Sequence, residues 1–160
     1  MKKTTKRLVI LILLVLSCVM IFMFSAQSGK KSSDISEYLT EFFLRLFHIT
    51  EMDMGRAEHY LRKTAHFVEF FILGALTYTF LSMFMRKKFL AYLLSLFVTI
   101  LYAVFDELHQ YFIPGRSASL NDVLLDSLGA LCGIFTVFIL QWIIFYHRKS
   151  QSVLREGKNT

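Results

Sequence analysis

Phe89-Leu90-Ala91-Tyr92-Leu93-Leu94-Ser95-Leu96-Phe97-Val98-Thr99-Ile100-Leu101-Tyr102-Ala103-Val104-Phe105, followed at once by Asp106-Glu107-Leu108-His109-Gln110-Tyr111-Phe112-Ile113-Pro114-Gly115-Arg116, decides the fold of this chain. The first part carries no formal charge. The second holds the densest polar chemistry in the sequence and its only proline. A helix rises about 1.5 Å per residue, so roughly 20 apolar residues cross a hydrocarbon core of about 30 Å. The uncharged run is long enough to do so, and the polar stretch marks where it leaves the membrane.

Three other runs read the same way: Leu8 to Phe24, Phe67 to Met85 and Val123 to Tyr146. In lipid every backbone N–H and C=O must find its partner within the segment, so these runs are expected to be helices. Apolar residues make up 55% of the 160-residue chain, whereas an ordinary soluble domain has about 45–50%. The expectation is an all-α integral membrane protein, a bundle of four transmembrane helices with an extracytoplasmic amphipathic helix. A single membrane domain is expected over residues 1–150, followed by a cytoplasmic tail over 151–160.

Charge sets the orientation. The N-terminus carries Lys2, Lys3, Lys6 and Arg7, the second connection Arg86, Lys87 and Lys88, and the tail Arg148, Lys149, Arg155 and Lys158. Only one acid, Glu156, accompanies these 11 of the 18 basic residues. The first and third connections and their membrane edges hold the other 11 acids. By the positive-inside rule both termini are cytoplasmic and the two acidic connections face outward. The net charge of +6 then reflects topology and anionic lipid, and a nucleic-acid partner is excluded because the basic residues are dispersed. Val15-Leu16-Ser17-Cys18 loosely resembles a lipoprotein signal, but the apolar run continues through Phe24, so no cleavage is expected. Cys18 and Cys132 both lie within spans and imply no disulfide framework.

Between the first two spans, Ile35, Tyr38, Leu39, Phe42, Phe43 and Leu46 recur at helical spacing. This predicts an amphipathic helix over about 34–48, capped by Asp34 or Ser33 and lying in the outer interface or over the polar site. A packing helix without a binding role has the same pattern. A further helix is expected to start near Met54 and run into the second span.

Polar residues gather at one membrane depth. Arg62, His66 and Glu69 share a helix face with Lys63 beside them, and Glu69 lies about one turn inside an apolar run. An acid there needs a partner or a water-filled cavity. Asp106, Glu107 and Gln110 end the third span, and Pro114-Gly115 predicts a turn that carries Arg116. Asp122 and Asp126 share a face of the fourth span, which Ser119 or Asn121 can cap. Deeper, Gly129 and Gly133 form a small-xxx-small pair suited to close helix approach. The expected ligand-binding site is therefore Arg62, Lys63, His66, Glu69, Asp106, Glu107, Gln110, Arg116, Asp122 and Asp126. His66, Glu69, Asp106 and Glu107 are candidates for acid–base catalysis, and the basic residues suit a phosphate or carboxylate. A metal on His66, Glu69, Asp106 and Glu107 is conceivable, but nearby basic residues would repel a cation, so neither a metal nor another cofactor is expected. His48, His59, His109 and His147 read as interfacial or exposed.

The chain resembles the VanZ-like family of small bacterial membrane proteins. The resemblance rests on Phe24-Ser25-Ala26-Gln27-Ser28, Arg62-Lys63-Thr64-Ala65-His66-Phe67-Val68-Glu69-Phe70, Leu73-Gly74, the Asp106 to Arg116 stretch, Asp122 and Leu128-Gly129-Ala130. Asp126 stands where the family often has Asn. The resemblance implies a multi-pass protein of the bacterial plasma membrane, associated with reduced susceptibility to teicoplanin, a glycopeptide with an acyl chain. Expected partners are a membrane lipid or lipid-linked envelope component, and teicoplanin itself. Two readings follow. The protein binds or shields such a ligand at the outer face, or it is an enzyme that modifies a lipid-linked head group. The absence of an evident nucleophile–base pair favours binding.

Overall fold

The computed structural model describes residues 2–46 and 53–156, with side chains not described at 29–35, 43 and 152–156. Regular structure among the described residues is entirely α-helical. The helices are α1 (Lys3–Ser25), α2 (Gly29–Leu46), α3 (Met54–Ser82), α4 (Lys88–Tyr111) and α5 (Leu120–Glu156). Four of them, α1, α3, α4 and α5, are long and apolar enough to cross a membrane. Leu16, Phe97, Leu101, Phe135 and Leu140 are exposed on their outer surfaces. Such a belt of large apolar side chains would be a liability in water and is satisfied by acyl chains.

The spans read from hydropathy lie within these helices except at one end. The second apolar run was expected to continue to Met85, but α3 stops at Ser82. There Lys88 folds back to donate to the Ser82 carbonyl and, at 3.4 Å, to that of Met85. A basic side chain thus satisfies carbonyls that a longer helix would have bonded internally. α3 does start at Met54, as expected, with Asp53 accepting from the Arg56 N–H at 3.2 Å.

One helix boundary needs correction. The amphipathic helix was placed at about 34–48 with Asp34 or Ser33 as its cap. It begins at Gly29, so both residues lie inside it, and residues 47 and 48 fall outside the described set. Polar Lys30 to Ser33 contain no residue that forbids a helix, and hydropathy alone hid the extra turn. At the other end of the chain, α5 continues ten residues past Tyr146, where the fourth apolar run ends. Residues 147–156 contain neither Pro nor Gly and so carry no stop signal. Of the expected tail at 151–160, residues 157–160 lie outside the described set.

α3 is the central element and contacts each of the other four helices. Its closest neighbour is α5, along a seam of small residues. A Cβ on Gly133 would collide with the Phe71 carbonyl, one on Gly129 with that of Phe67, and one on Gly74 with that of Ala130. Gly129 and Gly133 therefore serve the close approach expected of them, and Gly74 answers from the facing helix. Below the polar site, Ile21, Phe70, Leu73, Ala103 and Ala130 form one buried cluster. Tyr78, Ala91 and Ile134 form a second, further along the bundle. Three buried hydroxyls are satisfied by carbonyls one turn back. Thr77 donates to the Leu73 carbonyl at 2.7 Å, Ser95 to Ala91 at 2.6 Å and Thr99 to Ser95 at 2.9 Å.

The bundle has two unlike ends. At one, Arg7 reaches the Met83 carbonyl at 3.4 Å and stacks over Phe84, beside the basic α3–α4 connection. At the other, the last residue of α1 meets the end of α4 and the turn before α5. Substituting Gly133 by Val drives a branched side chain into α3 and should cost about 1–3 kcal/mol. Leu140→Ala, on the exposed face, should change stability by less than about 0.5 kcal/mol. Reversible unfolding in mixed micelles measures both.

Candidate functional site

The site begins where α4 leaves the apolar core. Asp106, Glu107 and Gln110 are all buried there. Asp106 and Gln110 are one turn apart, and the Gln110 amide Nε2 donates to Asp106 Oδ2 at 2.8 Å. The same oxygen accepts from Ser25 Oγ, the last residue of α1, at 2.9 Å. A carboxylate that is only 1% exposed is thereby fixed from two helices.

The following turn closes over it. Pro114 presets φ, and Gly115 has φ 77°, a conformation open to glycine. The Arg116 N–H then donates to the Ile113 carbonyl at 3.1 Å. This reversal folds the Arg116 side chain back over the bundle. Its Nη1 donates to Gln110 Oε1 at 3.1 Å and its Nη2 to the Phe24 carbonyl at 3.1 Å. Glu107 Oε2 accepts the Ser119 N–H at 2.8 Å and so sets the entry to α5. α5 starts directly after Ser119, whose carbonyl accepts from Asp122 and Val123, whereas Asn121 lies inside the helix.

α3 and α5 supply the opposite wall. Lys63 Nζ pairs with Asp122 Oδ1 at 2.8 Å. His66 Nδ1 lies 3.5 Å from Glu69 Oε2, an ion-pair separation longer than a well-made hydrogen bond. Asp126 is 1% exposed, and its Oδ1 has no hydrogen-bond partner. One ligand atom each from His66, Asp106 and Asp126 lies within 4.8 Å of the other two.

The ten residues expected to form one polar pocket occupy two adjoining cavities and the floor between them. Arg62, Lys63, His66, Glu107, Gln110, Arg116, Asp122 and Asp126 line a cavity of about 300 Å³. Glu69 lines a smaller one, about 190 Å³, together with Ser36 and Leu39 of α2. Arg62, His66 and Arg116 border both. Asp106 lines neither and is buried as the hydrogen-bond hub. Burial, and then the nearby Arg62 guanidinium, pulls the Arg116 group below its ordinary value, against Asp106, Glu107 and Glu69. Arginine stays protonated through such a shift.

Two contributors were missed. His59 lines the larger cavity. Its spacing of three, four and seven residues from Arg62, Lys63 and His66 puts it on their face, and that signal was present in the sequence. Ser25 ends an apolar run, and beyond its polarity its only mark was its place in the Phe24 to Ser28 stretch that carries the family resemblance. His109, read as interfacial, stacks on Phe22 with ring centroids 4.5 Å apart. His147 is exposed as expected, and His48 is outside the described residues. Arg116→Lys keeps the charge but cannot hold both Gln110 and Phe24 in a fork. It should lower stability by about 1–2 kcal/mol in thermal unfolding at fixed detergent.

No curated protein matches the chain, and no solved structure does. A family model does match, over residues 9–145, and it takes in most of each of the four apolar helices and every one of the ten site residues. The chain therefore belongs to the VanZ/LLP1 family.

Proposed function

We propose that this protein acts at the outer face of the bacterial plasma membrane, with both termini in the cytoplasm. There it binds or shields an envelope lipid or a lipoglycopeptide and lowers susceptibility to teicoplanin-type antibiotics. The family links the chain to glycopeptide resistance. One observation carries the finer reading. The cation-bordered cavities adjoin an amphipathic helix with exposed apolar side chains. Tyr38 and Leu46 of α2 are 75% and 57% exposed, while Ser36 and Leu39 line the smaller cavity. A ligand with an anionic head and an acyl chain matches both surfaces: Arg62 and Arg116 for the head, and the α2 face with surrounding lipid for the chain. A bound anion would also compensate the mutual repulsion of the two guanidiniums. The membrane unit spans residues 1–150, with 151–160 as a cytoplasmic tail.

A second reading, an enzyme that modifies a lipid-linked head group, draws on the approach of Glu69 to His66 beside Asp106. The two differ in what they leave behind. An enzyme changes the mass of an envelope lipid, and a shield does not.

Topology is checked with single cysteines in a background lacking Cys18 and Cys132. Cysteine at Ser117 should react with a membrane-impermeant maleimide in intact cells, and cysteine at Lys3 only after lysis. The reverse pattern contradicts the orientation. For function, a sensitive Gram-positive host would express the wild type, Arg116→Ala or Asp106→Asn at equal membrane abundance. The wild type should raise the teicoplanin inhibitory concentration more than that of vancomycin, and Arg116→Ala should abolish the difference. Under the binding reading Asp106→Asn retains part of the effect. Equal tolerance in host and wild-type strains would overturn the proposal.

A further inference from the structure

We infer that His66, Asp106 and Asp126 form a binding site for one divalent transition-metal cation, of the Zn²⁺ or Mn²⁺ class, in the floor of the larger cavity. These residues come from α3, α4 and α5 and bring one imidazole and two carboxylates to a common point, with ligand atoms within 4.8 Å of one another. A cation about 2.0–2.2 Å from each ligand requires separations of roughly 3–4 Å, which small side-chain rotations supply. One imidazole with two carboxylates is a borderline donor set that suits Zn²⁺ and Mn²⁺.

A second observation points to a missing partner. Asp126 is buried to 1% exposure, and its Oδ1 accepts no hydrogen bond. An orphaned carboxylate oxygen inside a membrane bundle is costly, and a cation is what it lacks. The surroundings hold the other two ligands. Asp106 is fixed through Oδ2 by Ser25 and Gln110, which leaves its second oxygen to turn toward the cluster. Glu69 Oε2 stands 3.5 Å from His66 Nδ1, which has no hydrogen-bond partner. His66 and Asp126 both line the larger cavity, so the floor has an entry path.

Nearby basic residues argued against a metal when only the sequence was considered. Their partners change that argument. Asp122 offsets the charge of Lys63, and the Arg116 charge is offset only by the surrounding acids, because its hydrogen-bond partners Gln110 and the Phe24 carbonyl are neutral. Across the ten polar residues, five acidic side chains stand among Arg62, Lys63 and Arg116, so acids outnumber bases at the site. The inference does not depend on which ligand enters the cavity or on any effect on antibiotics.

The test is metal retention by the full chain, purified without a polyhistidine tag in detergent, stripped with EDTA and dialysed against Zn²⁺ or Mn²⁺. Bound metal is measured by mass spectrometry after gel filtration, and the melting temperature is followed with and without each ion. The wild type should retain roughly one equivalent and melt at a higher temperature when loaded. His66→Gln and Asp126→Asn should each weaken retention at least about tenfold, while Glu41→Gln, on the exposed face of α2 and outside the site, should keep it. Failure of the wild type to retain either ion overturns the inference whatever the variants do. Equal retention by wild type, His66→Gln and Asp126→Asn also overturns it.

Discussion

A carboxylate buried at the end of a membrane helix has to be satisfied by protein, because lipid offers it nothing. Asp106 is that carboxylate, and the rest of the polar end is arranged around it. Ser25 brings the last turn of α1 to its Oδ2, and Gln110 reaches the same oxygen from the next turn of α4. Gln110 in turn receives Arg116, which also holds the Phe24 carbonyl. One acidic side chain thereby ties α1, α4 and the turn leading to α5. Glu107 fixes the start of α5 independently through the Ser119 N–H. The cavity wall inherits its shape from these bonds.

The opposite wall depends on a steric constraint. Gly129, Gly133 and Gly74 let α3 and α5 approach until backbone meets backbone. That closeness brings His66 of α3 next to Asp126 of α5, and Lys63 within 2.8 Å of Asp122. Small residues deep in the membrane and charged residues at its edge are thus parts of one arrangement: the first sets the distance at which the second interact. α2 stands apart from this logic. It packs on α3 and flanks the smaller cavity, yet leaves Tyr38 and Leu46 exposed.

The four membrane helices were legible because lipid imposes a length and an apolar composition that few other structures need. Glu69 and Asp126 announced a polar site because an acid inside an apolar run is expensive. The Pro114-Gly115 turn was legible from two residues with fixed backbone preferences. Helix limits were not, since nothing in Lys30 to Ser33 or in residues 147–156 either starts or stops a helix by itself. The division into two cavities was also hidden. Residues at one membrane depth can share a chamber or be split by a side chain crossing between them, and here Arg62, His66 and Arg116 border both sides. The role of Ser25 was hidden because it exists only through Asp106, 81 residues away.

The most direct test of this account is a double-mutant cycle on Ser25 and Asp106, with Ser25→Ala, Asp106→Ala and the pair compared in reversible unfolding at fixed detergent. Hydrogen bonds between neutral groups in membrane bundles couple by about 0.6 kcal/mol on average, and a bond to a carboxylate should exceed that. A coupling of about 1 kcal/mol or more is predicted, because each residue loses its partner when the other is removed. Additive effects, with coupling below about 0.3 kcal/mol, would contradict Asp106 as the point on which the polar end is built.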